Sequence, residues 1–481
     1  MARVEGRITV VSMPAEQRTT GRSSLTGWRA RVVVLLLSLS PFIALEVVLR
    51  ATGYGRDAFT NFAPDAKVYV VEGDLVKRDP MHGGLFRTPS FTLAKPSGTT
   101  RIFVIGDSVT YGFTYHSREP IRTDPLYLEQ PYSSLLQKRL EEKHPGRRFE
   151  VINCGGLGHA SFRLVGVVRE VLGFSPDLVI VMTGSSEFME ARTYKDWKEI
   201  RDRRSTFLRG WRTLTLLRNL LRLLRAGSDA DGQALDDRTV PARRIPVTTD
   251  DEVRGRYEVD AQVAHSTHNL QEMIAACQGA GVPLVLCTIP SDLTHPPHYR
   301  GEAPPESGLP VPVASGDMGR DRFDRLVLDV LREEKGRFGR AVALIQKLNR
   351  QGDHEEAVQT ADAALEELED DLRVGVLHYL KGMALIDLKR PGEARKALKK
   401  ARDLDLLPLR GTGEFNDVIR DLCARPGVFL AEVELAFERA SPDGIPGQLL
   451  FFDNCHPVGA GHDLIAETIL SVLDRNGLLP D

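Results

Sequence analysis

Short apolar runs that alternate with helical patterns constrain the fold of this 481-residue chain more than any other feature. Four runs end near a glycine or proline: 101–105 (RIFVI), 149–153 (FEVIN), 178–183 (LVIVMT) and 283–289 (PLVLCTI), with a candidate fifth at 428–432. Between them, apolar residues recur at helical spacing over 132–143, 162–172 and 263–279. Short buried strands that alternate with helices predict βαβ units, and therefore an α/β fold with a parallel sheet covered on both faces.

Composition narrows the class of protein. Hydrophobic residues make up 42% and charged residues 27%, which excludes a wholly disordered or fibrous chain. A net charge of −3 provides no global field for nucleic acid, so we expect no nucleic-acid partner. Five cysteines are too few, and odd in number, for a disulfide scaffold. None is in a C-x-x-C pair, which argues against a zinc ribbon. The length suggests about three units of roughly 150 residues.

The N-terminus predicts attachment to a membrane. Residues 32–49 are mostly apolar, and residues 1–31 carry six arginines and two glutamates. By the positive-inside rule, 1–31 stays in the cytoplasm, 32–49 is an uncleaved transmembrane signal anchor, and the rest lies on the extracytoplasmic side, periplasmic or extracellular. A cleaved signal peptide and a buried core helix are the alternatives. Residues 50–100 show little periodicity and predict a tether.

Insertions interrupt the strand–helix alternation. Residues 203–225 hold seven arginines and no acid on an amphipathic pattern. Such a helix either lies on an anionic membrane or covers the protein's own core or active site. Residues 226–260 and 291–320 are loops by composition. The core is thus split into 101–325 and 411–481 by a helical insertion at 326–410.

The insertion at 326–410 has the spacing of tetratricopeptide repeats. The matching small and apolar residues of one unit are Gly382, Leu385, Ala394, Leu398 and Ala401, and half a unit precedes them. A generic alanine- and leucine-rich hairpin is the alternative. As tetratricopeptide-like (TPR-like) helices, they would dock on the α/β core and could bind a protein partner.

Two motifs far apart in the chain suggest nucleophilic catalysis. Gly106-Asp107-Ser108 directly follows the first strand, so the Ser108 hydroxyl would lie at the carboxyl edge of the sheet, where such folds bind ligands. In D-N-C-H-P, Asp453 and His456 are three residues apart, and the carboxylate can fix the imidazole by its Nδ1. Nε2 is then free to take the serine proton.

These motifs resemble those of the SGNH (GDSL-type) hydrolases, a superfamily of esterases and lipases. The resemblance covers 101–190, 260–290 and 427–475. It implies a flavodoxin-like three-layer α/β/α fold, Ser108 as nucleophile, His456 as base and Asp453 as its acid partner. It also implies an oxyanion hole formed by the N–H groups of Ser108 and Gly158, and no metal or organic cofactor.

The sequence departs from the family after the third strand. Gly184-Ser185-Ser186-Glu187 stands where relatives have a glycine–asparagine motif, so Ser186 replaces the asparagine that donates to the oxyanion. A slower enzyme, a substitute donor (Ser185 or Ser186) and a degenerate enzyme are all open. The combination is similar to membrane-anchored bacterial members, and it implies a serine esterase with an ester substrate of unknown class. The alternatives are an O-acyltransferase acting on envelope polysaccharide and a binding scaffold with a weakened core.

Several residues near these motifs have simpler interpretations. Cys455 is expected to point away from Asp453 and His456. The pair His295 and His298 is expected in a solvated loop without a third metal ligand. Two histidines, His265 and His268, are expected on a helix surface, and His159 is expected near the pocket. Glu187 is expected to cap a helix, and His462 is expected to have a packing role.

Overall fold

The structure is a computed structural model that describes residues 28–51, 68–79, 86–87, 90–112, 130–188, 213, 216, 256–298, 336–406 and 408–479. Most of the predicted amphipathic segment 203–225, residues 226–255 of the predicted loop 226–260, and residues 299–320 of the predicted loop 291–320 lie outside these ranges. Residues 256–260 were wrongly predicted as loop, because they form the first turns of a helix, Arg256–Ala280. The chain divides into two compact units, Met1–Ala58 with Ser205–Gly232, and Phe59–Arg204 with Gln233–Asp481. We describe each by itself.

The first unit contains helix α1, Trp28–Ala51. The Glu46 carboxylate accepts hydrogen bonds from the backbone N–H and the hydroxyl of Thr213, both at 2.9 Å. In the ranges given above, no helix combines the length and the apolar character that a membrane crossing requires. The predicted anchor at 32–49 is therefore not supported.

The second unit is built on a five-stranded parallel sheet in the order β5-β4-β6-β7-β8. Its strands are β4 (Thr99–Gly106), β5 (Arg148–Gly155), β6 (Leu178–Met182), β7 (Leu284–Cys287) and β8 (Val428–Ala431). The prediction of an α/β fold with a parallel sheet is confirmed, including the fifth strand. The carboxyl ends of β4, β5 and β6 are neighbours, so the segments that follow them meet at one edge.

Alternating residues of the strands face two different cores. In β4, Phe103 and Ile105 belong to the core beneath α4 (Ser161–Val171), α5 (Arg256–Ala280) and α10 (Gly413–Leu422). Ile102 and Val104 belong to the opposite core, which holds α3 (Tyr132–Lys143), α11 (Val433–Ala440) and α12 (Gly459–Arg475). The period of two along the strand thus covers the sheet with helices on both faces, in three layers.

The segment predicted as a tether contains a small antiparallel sheet. Its strands are β1 (Tyr69–Glu72), β2 (Leu75–Arg78) and β3 (Phe91–Thr92). Gly73 has a φ of 62° in the turn between the first two, a conformation that favours glycine. The structure differs from the expected tether here because Tyr69, Val76 and Phe91 join the core beneath α4.

Four consecutive helices make up the described part of the insertion: α6 (Arg337–Gln351), α7 (His354–Glu367), α8 (Val374–Asp387) and α9 (Pro391–Asp403). A Cβ on Gly382 would lie 2.6 Å from the Leu398 side chain, so glycine lets α8 approach α9 closely without displacing Leu398. The buried Arg402 guanidinium of α9 donates to Glu434 of α11 at 2.8 Å, which joins the insertion to the core. Its assignment as tetratricopeptide-like stays a prediction.

Candidate active site

A tight turn after β4 presents Ser108. Asp107 is extended, with φ −85° and ψ −153°, and its Oδ1 accepts the N–H of Val109 at 3.0 Å. This contact caps the short helix α2 (Ser108–Tyr111), of which Ser108 is the first residue. A Cβ on Gly106 would lie 2.1 Å from the Met182 carbonyl oxygen, so the strand can pass β6 this closely only with glycine there.

The acid–base loop, residues 453–456, brings a carboxylate and an imidazole to that serine. Asp453 Oδ1 accepts the backbone N–H groups of Cys455 at 2.9 Å and His456 at 2.7 Å. Asp453 Oδ2 lies 2.7 Å from His456 Nδ1, and His456 Nε2 lies 2.7 Å from Ser108 Oγ. Because a carboxylate only accepts, Nδ1 carries the proton of the neutral His456 ring, and Nε2 of that neutral ring accepts from the Ser108 hydroxyl. The structure thus brings Ser108, His456 and Asp453 together.

The interaction between Asp453 and His456 shifts the pKa of each group in the direction opposite to the effect of burial. Burial acts to raise the pKa of Asp453, but the charge and hydrogen bond of His456 hold that pKa below its usual value. Burial likewise acts to lower the pKa of His456, but the Asp453 carboxylate raises it well above the usual 6.5. The arrangement therefore stabilises the protonated form of the His456 ring, the imidazolium.

Asp107 joins the turn to the segment that follows β6. Its Oδ2 accepts the N–H of Ser185 at 3.1 Å, while Oδ1 is used by Val109. Burial raises the pKa of Asp107 to about 6, against the lowering effect of these N–H groups and of His456. Nothing in the sequence motif indicated this second contact of Asp107.

The β6 loop, residues 183–187, holds buried hydroxyls. Thr183, Ser185 and Ser186 are 4%, 3% and 1% exposed, and none of their hydroxyl oxygens has a hydrogen-bond partner among the residues that the structure describes. Gly184 has a φ of 146° in this loop, and a Cβ there would lie 2.1 Å from the Ile289 side chain. Glu187 Oε1 accepts the N–H of Ser161 at 2.6 Å, so it caps α4 rather than a helix of its own.

The end of β5 and the turn that follows it pack against α2. Gly158 lies in its turn with a φ of 67° and is half-buried. Asn153, which sequence analysis missed, donates through Nδ2 to the Thr110 carbonyl at 2.7 Å and to Ser133 Oγ at 2.8 Å. A Cβ on Gly155 would lie 2.1 Å from the Tyr111 nitrogen. The glycine pair after β5 was the only signal of this close approach.

Cys455 does not point away from the pair, as expected, but lies against it. Its Sγ is 3.5 Å from His456 Nδ1 and 3.9 Å from Nε2. The turn that Asp453 Oδ1 closes over residues 455 and 456 brings the thiol back to the ring. Burial raises the pKa of the Cys455 thiol to about 11. Ligand atoms of Asp453, Cys455 and His456 lie within 4.8 Å of one another, but Ser108 and Asp453 already engage both ring nitrogens.

The other singled-out histidines lie outside this hydrogen-bond chain. His298 is half-buried and contacts Asp405 Oδ1 through Nδ1 at 3.1 Å, and His295 Nδ1 lies 2.9 Å from the Pro296 carbonyl, so this segment is not the solvated loop expected. His265 is buried because its ring stacks on Phe162, whereas His268 is exposed. The last two are both buried: His159 packs on Phe86, and His462 accepts the N–H of Tyr132.

Comparison with known proteins adds likenesses at low similarity. No protein-family model matches the chain, and neither does any curated protein. An α/β hydrolase from the metagenome of Lake Arreo, Spain, is 15% identical with a TM-score of 0.31, over 79% of this chain and 97% of that one. A proposed acylhydrolase from Bacteroides fragilis NCTC 9343 is 8% identical with a TM-score of 0.28, over 80% and 90%. A proposed GDSL-like lipase from Parabacteroides merdae ATCC 43184 is 13% identical with a TM-score of 0.24, over 79% and 96%.

All three structures are named for hydrolases, the class that the sequence resemblance implies. Their TM-scores lie below 0.5, so these likenesses decide neither the fold nor the activity of this chain. What defines its class is its own structure: a three-layer α/β/α protein with a Ser–His–Asp hydrogen-bond chain at the carboxyl edge of a parallel sheet.

Proposed function

We propose that this protein is a serine hydrolase that cleaves a carboxylic ester through an acyl-enzyme. The observation that carries the proposal is the continuous hydrogen-bond chain from Ser108 Oγ through the His456 ring to Asp453, with both links at 2.7 Å. Ser108 and His456 are 348 positions apart in sequence, so their contact comes from the tertiary fold and not from local backbone geometry. The arrangement supplies a nucleophile, a base and a group that fixes the base.

In the first half-reaction, Ser108 Oγ attacks the ester carbonyl carbon and its proton passes to His456 Nε2. Asp453 holds the Nδ1 proton and stabilises the imidazolium. When the tetrahedral intermediate collapses, the bond to the leaving oxygen breaks and Nε2 returns the proton to it as an alcohol. In the second half-reaction, water attacks the acyl-serine, gives its proton to Nε2 and releases the acid, and Ser108 recovers its proton.

The oxyanion of the intermediate requires donors that are ready before the reaction. We assign this role to the N–H groups of Ser108 and Gly158 and to the Ser186 hydroxyl. The buried, unpartnered state of the Ser186 hydroxyl supports the third assignment, because a buried donor without a partner is available to a ligand. Loss of one such donor costs about 10²–10³ in rate in other acyl-transfer enzymes.

The test is hydrolysis of short-chain p-nitrophenyl esters by the full chain, the Ser108→Ala variant and the matched control Ser471→Ala, whose serine is exposed on α12. We expect turnover in the wild type and the control and none above background in Ser108→Ala. A fluorophosphonate probe should label Ser108 in the same two proteins. Turnover that persists in Ser108→Ala, or a wild type that neither turns over ester nor takes the label, would overturn the proposal.

The identity of the acyl acceptor is a second result of the same experiment. Hydrolysis releases free acid, whereas an O-acyltransferase would pass the acyl group to an added sugar hydroxyl. If the fluorophosphonate probe labels Ser108 and the product is acylated sugar without free acid, the acyl-enzyme forms but the acyl acceptor is the sugar hydroxyl instead of water.

A further inference from the structure

Two segments that flank the helical insertion lie side by side, and we call them the neck: residues 291–298, where the chain leaves the core, and residues 405–406 and 408–411, where it returns. Ser291 Oγ donates to the Gly411 carbonyl at 2.7 Å. The N–H of Leu406 donates to the His298 carbonyl at 3.2 Å, and the N–H of His298 donates to Asp405 Oδ1 at 2.9 Å. Three direct hydrogen bonds therefore close the neck along its length.

A buried guanidinium locks the same two segments. Arg410 is 1% exposed, and its Nη1 donates to the carbonyls of Asp292 at 2.8 Å and His295 at 3.0 Å. Its Nη2 donates to the buried Asp405 carboxylate at 3.1 Å. One planar cation thus serves acceptors on both sides of the neck, a geometry that lysine cannot reproduce.

The acid–base loop is tied to both sides of this neck by one residue. Asn454 stands between Asp453 and Cys455, and its Nδ2 donates to the Leu409 carbonyl at 2.8 Å. Its own carbonyl accepts the N–H of Asp292 at 3.1 Å. The side chain of Asn454 thus contacts the segment that returns to the core, and its backbone contacts the segment that leaves the core.

We propose that Asn454 and Arg410 are positioning residues through which the neck of the helical insertion holds the Asp453–His456 pair over Ser108. The inference rests on the proposed function and extends it to the regulation of the same site. Asp453 Oδ1 closes the internal turn of the acid–base loop, and Asn454, which lies inside that turn, ties the turn to the neck. The hydrogen bonds of Asn454 to the neck, which Arg410 makes rigid, therefore act beside the core packing of Phe451 to hold the shape of this turn and its place over Ser108.

The proposal gives the helical insertion a role in the reaction itself. A shift of about 1 Å between reacting groups can cost roughly 100-fold in rate. Movement of the insertion that opens the neck would therefore lower the rate without contact between the insertion and the substrate. The loosened imidazole would also lose part of the Asp453 interaction that raises the pKa of His456.

The test compares Asn454→Ala with Asn476→Ala in the full chain. Asn476 makes an equivalent bond, from Nδ2 to the Val472 carbonyl at 2.8 Å, at the end of α12. We expect Asn454→Ala to lose about 10- to 100-fold in kcat with little change in KM, and the acid limb of its pH profile to move to lower pH. Asn476→Ala should match the wild type. A loss of Tm with kcat and the acid limb unchanged would overturn the proposal, because that is the effect of a purely structural contact.

A second measurement separates this proposal from the proposed function. The titration of His456 followed by NMR needs no turnover. A midpoint that falls in Asn454→Ala and in Arg410→Lys, but not in Asn476→Ala, supports the positioning role even if no ester is cleaved. A midpoint that is unchanged in Asn454→Ala overturns the positioning role even if the wild type is an active esterase.

Discussion

The nucleophile turn, residues 106–110, and the β6 loop follow neighbouring strands and are equally buried, yet they treat their polar groups differently. In the turn, both Asp107 oxygens accept N–H groups, Ser108 Oγ bonds to His456, and Thr110 Oγ1 lies 2.8 Å from the Tyr132 hydroxyl. In the β6 loop, three hydroxyls have no partner within the described ranges.

The polar groups of the turn are satisfied within the protein, whereas the hydroxyls of the β6 loop have no hydrogen-bond partner among the described residues. A buried polar group without a hydrogen bond costs about 1–3 kcal/mol, so folding alone does not favour three of them in one loop. Such groups persist where function uses them. Under the proposed function, the turn holds Ser108 in place, and the hydroxyls of the loop are available to donate to charge that develops on the substrate.

The largest effect should come from removing the charge behind the nucleophile. Asp453→Asn keeps the shape but turns an acceptor of the Nδ1 proton into an amide, which favours the wrong tautomer of His456. We expect kcat to fall by about 10⁴. In the wild type the rate should rise as the pH passes through the raised pKa of His456, because only the neutral ring accepts the serine proton.

The control for this comparison is Asp463→Asn, at a half-exposed carboxylate that pairs with Arg139 of α3 and takes no part in the Ser108–His456–Asp453 hydrogen-bond chain. It should leave both the rate and the acid limb unchanged. A wild-type acid limb below pH 6.5, or an Asp453→Asn enzyme with full activity, would contradict the geometry.

A smaller effect should distinguish the hydroxyls of the β6 loop. If Ser186 donates to the oxyanion, Ser186→Ala should lose about 10²–10³ in kcat with KM nearly unchanged, since the interaction forms only in the transition state. Ser186→Asn should retain or exceed wild-type activity, because the amide extends further toward the oxyanion. Ser185→Ala is the comparison within the loop, with the expected loss concentrated at Ser186.

The opposite order, with the larger loss in Ser185→Ala, would make Ser185 the donor. Equal activity in all three variants would show that the loop takes no part in the transition state. The difference between the turn and the loop would then have to be explained by packing alone.

Features set by local sequence signals could be predicted, and features set by long-range contacts could not. The parallel sheet and the meeting of Ser108 with Asp453 and His456 could be predicted, because strand periodicity and motif spacing are local signals. The contacts of Asn454 and Arg410 could not, since they depend on where an inserted segment returns to the core. The burial of His265 and the position of Cys455 were predicted wrongly, because packing against α4 and the turn at Asp453 decide them.

A stability measurement sharpens the view of the nucleophile turn. The pKa of Asp107 is about 6 in the folded protein, above its usual 3.8. The folded state therefore binds the proton more tightly, and this contribution is present below about pH 4 and is lost as the pH rises through 6. The shift corresponds to roughly 3 kcal/mol at neutral pH.

Asp107→Asn mimics the protonated acid at every pH. We expect its free energy of unfolding, relative to the wild type, to grow by about 1–3 kcal/mol between pH 4 and pH 8. Its activity should fall, because one of the two N–H bonds of Asp107 is lost. Denaturant unfolding at the two pH values measures the first effect. A stability difference that does not change with pH would show that the pKa of Asp107 is not raised in the folded protein.

The smallest effect should come from Cys455, the group that lies nearest the triad without a step to perform. A thiol with a pKa of about 11 is hardly ionised at neutral pH, so it does not attack an ester. Cys455→Ala should therefore keep kcat within about threefold, the loss that removing a weak buried contact produces. The measurement is ester turnover beside Ser108→Ala. A loss in Cys455→Ala as complete as that in Ser108→Ala would make the thiol essential, and proximity to His456 would then count for more than the ionisation state.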